Sequence, residues 1–432
     1  MIITELQQLY ATHPNVEGMC KLLKDNSVRH LYCSGLCASA ASLFSSVLVQ
    51  RAECPFVFIL GDLEEAGYFY HDLTQILGTG QVLFFPSSFR RAIKYGQKDA
   101  ANEILRTEVL SRLQKGEEGL CVVTYSDALA EKVVSRKELG DKTLKLHAGE
   151  KVDMDFVTEV LRSYGFEYVD YVYEPGQYAV RGSIIDVFSF SSEFPFRIDF
   201  FGDEVESIRT FEVESQLSKE KKEEIVIVPD LSRSLEQGGN GGMVSFLDFL
   251  RPDTLLAMRD FLWLRERIQV VHDESLTAQA IAACEAEENG AISLEGKLID
   301  GGEFTLRALD FRRMEFGTKP TGTPDATVTF STVAQPIFHK NFDLVAESFR
   351  DYLSRNYTLY ICSDSLKQTD RIRAIFEDRG DNISFTPVER TLHEGFADDT
   401  LRLCIFTDHQ LFDRFHKYNL KSEKARSGKV AL

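Results

Sequence analysis

Basic residues are in short supply in this 432-residue chain: 49 Lys and Arg stand against 67 Asp and Glu, a formal net charge of −18. A protein that grips a phosphate backbone gains affinity by displacing counterions with Lys and Arg, so this balance argues against broad, sequence-independent DNA binding and leaves room only for a local basic patch. None of the eight cysteines has the Cys-x-x-Cys spacing of a zinc or redox site. A chain this long needs no disulfide staples, and free thiols in a reducing cytoplasm are expected. No stretch approaches the ~20 apolar residues of a membrane helix. The start, MIITELQQLY, has Glu5 where a secretory signal needs a basic end and an apolar run, so a cytoplasmic protein is expected. His-x-x-x-His, His-Glu-x-x-His and Gly-x-Ser-x-Gly are all missing, and the nine histidines are dispersed. That leaves no constellation for a hydrolase, protease or oxidoreductase, and no catalytic residue or metal site is assigned.

What is present is an ordinary globular composition, 44% hydrophobic and 27% charged, long enough for about three domains. Up to about residue 140, the runs HLYCSG (30–35), PFVFILGD (55–62) and CVVTYSDAL (121–129) alternate with helical patterns, which predicts a parallel sheet covered by helices. From about 143 to 228 the texture becomes aromatic and β-branched, broken by Gly, Pro and Ser, and predicts an antiparallel β-rich insert after one helix (Asp155 to Tyr164). The Lys/Glu cluster Ser218–Glu224 reads as a solvated turn between two strands, and EQGGNGGM (236–243) as a surface loop. From about 336 a βαβ-like pattern predicts a small α/β unit, and the basic stretch 421–432 reads as a linker.

Two places invite chemistry. GLCASAAS (35–42) follows the first strand where a phosphate loop, G-x-x-x-x-G-K-[ST], would sit. Gly35 and Ser42 remain, but Ala40 and Ala41 replace the glycine that lets backbone amides converge and the lysine that neutralises the β- and γ-phosphates. A degenerate nucleotide loop is expected, and no nucleotide cofactor. In FPFRIDFF, alternation sends Phe196, Ile198 and Phe200 to one face and Arg197, Asp199 and Phe201 to the other, with Arg181 on the neighbouring strand. Arg and aromatics on a sheet face suit a partner anchor. Equally, Phe201 packs under a loop and the arginines pair with local acids; the pattern leaves both open. The acidic run Asp199, Asp203, Glu204 and Glu206 reads as a hairpin turn with outward carboxylates rather than as a Mg²⁺ site.

The same residues carry a resemblance. GQYAVRGSIIDVF followed by PFRIDFFGDEVESIRTFEVESQ is similar to the signature of the second domain shared by the excision-repair protein UvrB and the bacterial transcription-repair coupling factors. UvrB keeps a working phosphate loop and a Tyr-rich hairpin that clamps DNA. Here the loop has lost its key residues and FFPSSFRRAIKYGQKDAANEILRTEVL has no Tyr cluster, so the chain resembles the N-terminal region of a coupling factor. LHEGF with LCIFTDHQLFDR supports that assignment.

The resemblance implies an α/β protein: a degenerate P-loop-type parallel-sheet domain (1–140, completed by 231–335), a β-rich α+β insert (141–230), a further small α/β domain (336–420) and a linker (421–432). It implies a non-catalytic arm that recruits the damage-recognition ATPase UvrA through Arg181, Arg197 and Phe201. RNA polymerase, duplex DNA, ATP and Mg²⁺ would be engaged by motor domains beyond this chain, and the recruiting face would be masked by the C-terminal part. The alternatives are a divergent ATPase or helicase fragment and a UvrB-like damaged-DNA binder.

Overall fold

A computed structural model describes residues 1–88, 100–231, 242–285 and 296–420. The middle of the stretch compared with the UvrB hairpin (89–99), most of the Gly-rich loop and the basic tail (421–432) lie outside these residues.

The chain is α/β. After two helices (Ile3–Tyr10 and Pro14–Lys24) come strands β1 (His30–Ser34), β2 (Phe56–Leu60), β3 (Val82–Phe84) and β4 (Cys121–Tyr125), alternating with helices. Their near-continuous apolar runs are buried on both faces, as parallel strands under two helical layers require. The run 121–129 is strand only to Tyr125; Ser126–Ala130 turns into a short helix.

The chain then leaves for the insert: β5 (Leu144–His147), β6 (Glu167–Tyr168), β7 (Gln177–Arg181), β8 (Ile184–Val187), β9 (Phe196–Phe201), β10 (Glu204–Phe211), β11 (Ser218–Lys222) and β12 (Glu224–Ile227). Strands β11-β10-β9-β8-β7-β6 form a six-stranded sheet, antiparallel except for the β6–β7 pair. Its inner face and the helix Met154–Ser163 close a core of their own around Val157, Leu161, Ile185, Ile198 and Ile208. β5 and β12 pair antiparallel, so the insert departs and returns through one two-stranded ribbon.

Back in the body, β13 (Leu255–Met258), β14 (Arg312–Glu315) and β15 (Ala326–Thr329) complete a seven-stranded parallel sheet, ordered β15-β1-β14-β13-β2-β4-β3. A second mixed sheet follows, β16 (Thr332–Ala334), β17 (Thr358–Ser363), β18 (Thr386–Glu389), β19 (Phe396–Asp398) and β20 (Leu403–Thr407), ordered β16-β19-β20-β17-β18. β16 begins before residue 336, because it is a short, exposed edge strand with no alternation to reveal it. Tyr360, Cys362, Val388, Leu392 and Phe396 of this unit join the core of the first sheet, while Phe349, Ile361, Phe376 and Phe406 close a core of the unit's own. Among the described residues no helix is long and apolar enough to cross a membrane.

One expectation is corrected. The Lys/Glu cluster is not a turn: Ser218–Lys222 is an edge strand hydrogen-bonded to β10. With almost all its side chains exposed it has no period-2 pattern, and its lysines are what edge strands use to discourage further pairing.

Candidate functional site

Strand pairing places the three singled-out residues of the insert on one face. Arg181 lies opposite Ile184, Asp186 opposite Arg197, and Phe201 is two residues beyond Asp199 on the same side. The alternation is as read: Phe196, Ile198 and Phe200 are buried, whereas Phe201 is 78% exposed at the end of β9. The hairpin β9–β10 turns at Gly202-Asp203, with Gly202 at φ +62°. Asp199 accepts a hydrogen bond from Ser183 Oγ at 3.0 Å.

The two arginines differ from Phe201. Asp186, at 1% side-chain exposure, receives Arg181 Nη2 at 2.5 Å and Arg197 Nε and Nη2 at 2.9 and 3.1 Å. Arg197 also donates to the Gln216 carbonyl at 3.0 Å and lies over the Phe211 ring at 4.4 Å. Its side chain is only 18% exposed, so local acid pairing describes Arg197 well. Arg181 keeps 41% exposure and lies over the ring of Tyr171, itself half exposed. On the same face, Val172, Ala179, Phe188 and Phe211 form a small second core beside the arginines. The outer face is thus a braced platform with Arg181, Tyr171 and Phe201 open to solvent. Asp186, which organises both arginines, was missed by sequence reasoning, although its place in RGSIID was on view; burial of an acid cannot be read from type alone.

The loop after β1 lies at the carboxyl end of the parallel sheet, where such sheets bind ligands. Gly35 sits at φ +80° against the Phe330 carbonyl, which an added Cβ would approach to 2.0 Å. Ala40 and Ala41 are buried at the start of the helix Ala40–Arg51. Two amides of the loop are already engaged across it: Cys37 N–H donates to Thr332 Oγ1 at 2.9 Å and Ser39 N–H to the Glu394 carbonyl at 3.2 Å. Glu394 N–H returns a bond to Ser39 Oγ at 3.0 Å. Ser39 and Ser42 hydroxyls both donate to Asp72 Oδ2 at 2.7 Å, and Asp72 Oδ1 accepts His393 N–H at 2.8 Å. Burial alone would raise the Asp72 pKa, but His71 and the two hydroxyls outweigh it and hold the carboxyl below its usual range. A side-chain carboxylate therefore serves the serines at this helix start, as an anion would.

Histidine is where position in the sequence misleads most. His393, His409 and His416, dispersed along the chain, are gathered by the fold into one cluster.

The profile of the UvrB interaction domain matches residues 144–232. The transcription-repair-coupling factor of Bacillus subtilis (strain 168) is 28% identical over 461 aligned positions, covering 90% of this chain and 39% of the relative. That of Staphylococcus aureus (strain bovine RF122 / ET3-1) is 22% identical over 469 positions, covering 91% and 39%. That of Escherichia coli (strain K12) is 29% identical over 196 residues, covering 45% and 17%. The chain spans about two-fifths of the length of the first two relatives. The chain is therefore similar over about nine-tenths of its length to transcription-repair coupling factors, and its residues 144–232 match the UvrB interaction domain.

Proposed function

We propose that this chain is the recruiting arm of a transcription-repair coupling factor and that the outer face of its insert binds UvrA. The observation that carries the reading is Phe201: a large aromatic, 78% exposed on a paired strand, inside the segment that matches the UvrB interaction domain. Exposed aromatics on a rigid support lose little entropy on docking and dominate truncation costs at interfaces. Arg181 sits on the same face with its guanidinium half open, able to meet a partner carboxylate while Asp186 holds its other side. Arg197 acts as a positioning residue, fixing Asp186 and through it Arg181. In the whole protein, RNA polymerase, duplex DNA, and the ATP and Mg²⁺ of a translocating motor that releases the polymerase belong to domains beyond this chain. Contacts with the C-terminal part would mask the face until the protein engages.

No catalytic role or nucleotide cofactor is assigned to the chain. The hydrogen bonds between Ser39 and Glu394 support that reading, because a nucleotide would have to displace them. Thermal unfolding with and without Mg·ATP checks it: a ligand at 100 times its dissociation constant adds about 2.7 kcal/mol, and no shift is expected.

Calorimetric titration with UvrA from the same source tests the main reading. Phe201→Ala and Arg181→Ala are each expected to cost on the order of 2 kcal/mol of binding, more than tenfold in affinity. Binding by the unaltered chain that survives both substitutions would sink the assignment of this face.

A further inference from the structure

The histidine cluster stands apart from the partner-binding face, and its argument is independent of the UvrA reading. His393 lies in the turn between β18 and β19, His409 on the single helical turn Asp408–Leu411 after β20, and His416 on the segment that trails away from it. One nitrogen from each ring falls within 4.8 Å of the other two. The Nδ1 atoms of His393 and His416 are 3.0 Å apart. In a tetrahedral zinc shell, bonds of ~2.0–2.1 Å set neighbouring nitrogens roughly 3.3 Å apart, so this pair needs to open only by a few tenths of an ångström.

The surroundings have the character of a ligand-orienting layer. His409 Nε2 lies 2.6 Å from the His393 carbonyl and carries the proton donated there, so Nδ1, 3.7 Å from Asp408 Oδ1, is the ligand atom this ring would offer. His393 Nε2 faces Glu394 Oε1 at 3.6 Å. A backbone carbonyl on one imidazole and a carboxylate behind another are the partners that orient metal-binding histidines. The rings of His409 and His416 lie parallel with centroids 4.1 Å apart, so joint ligation requires one of them to turn about its Cβ–Cγ bond.

We propose that His393, His409 and His416 form a site for a divalent transition-metal ion of the zinc class, tying the segment 412–420 to the β18–β19 turn. That segment already lies on the helix Leu63–Leu77: Tyr68 Oη donates to the His416 carbonyl at 2.6 Å, and the Tyr68 ring stacks on His393 with centroids 3.4 Å apart. A bound ion would clamp three separate stretches of chain at the junction of the two α/β sheets. Imidazole ligands suit Zn²⁺, and the same set would take Cu²⁺ or Ni²⁺ where those are available.

Titration of the metal-free chain with Zn²⁺, in competition with a chromophoric chelator, tests the site. One ion per chain is expected, with affinity falling about 100-fold or more in His393→Ala and in His416→Ala. His147→Ala, outside the cluster, should bind as the unaltered chain does. Failure of the unaltered chain to bind at roughly 100 μM Zn²⁺, or equal binding by both cluster variants, overturns the proposal. Should the variants fail to fold, Co²⁺ on the unaltered chain decides instead: intense tetrahedral d–d bands support the site, and the weak spectrum of the octahedral aquo ion overturns it.

Discussion

Two guanidinium groups converge on Asp186, a carboxylate with almost no access to water. Removing one partner of such an arrangement leaves charge stranded in a poor solvent, at about 3–5 kcal/mol. Asp186→Ala should therefore lower the unfolding free energy obtained from urea titration by about that much, whereas Phe201→Ala should change it by no more than about 0.5 kcal/mol. That contrast separates a brace from an anchor on one sheet face. Glu131 gives a pH signature. Burial pushes its carboxyl above the ordinary 4.5, against the pull of Arg106 at 3.6 Å. The folded protein then holds this proton more tightly than the unfolded chain, so the group's contribution is full below 4.5 and is lost as pH rises through the folded value. Glu131→Gln, which never ionises, should gain on the unaltered protein in urea midpoints measured upward from pH 4.5. Of these residues, Phe201 was legible because alternation needs only neighbours in sequence. Asp186 was not, because its burial depends on Arg197 arriving from another strand and on the loop carrying Val172.

At the scale of elements, the helix Leu63–Leu77 shows how a small residue can determine where another segment lies. Its Gly67 leaves room for the Tyr418 ring, and an added Cβ would come within 2.4 Å of it. Gly67→Ala improves helix propensity by about 1 kcal/mol yet has to expel that ring. The expected outcome is a helix retained by circular dichroism and a segment 412–420 newly open to protease; unchanged protection would contradict the docking described. Strand β11 makes the complementary point. Its lysines and glutamates hid a strand from the sequence because an edge with water on both faces has no burial to record. Lys221→Val should make that edge adhesive, and sedimentation velocity should detect self-association absent from the unaltered chain. The parallel strands were plain for the opposite reason: double-sided burial writes β-branched and aromatic runs directly into the sequence.

The whole molecule divides by cores rather than by stretches of sequence. The insert encloses its own apolar clusters, while the last unit has a core around Phe349, Phe376 and Phe406 and also shares residues such as Leu392 and Phe396 with the first sheet. Calorimetry should resolve a separate transition for the insert, with the body melting as one. Trp263, the only tryptophan, lies in the body and should follow the body transition alone. The shared core was not legible, because a βαβ pattern announces a unit but not which of its faces stays wet.

The ribbon that joins the insert to the body has a mechanical meaning. Leu144 and Ile227 sit together at its body end, His147 and Glu224 at its far end. A pull on the outer face, as when one partner is tethered and the other moves, draws both strands the same way. Tension then runs along two covalent backbones side by side, and the rungs between them are neither sheared nor unzipped. The attachment can thus transmit force without unravelling, which is what a tow line between two machines requires.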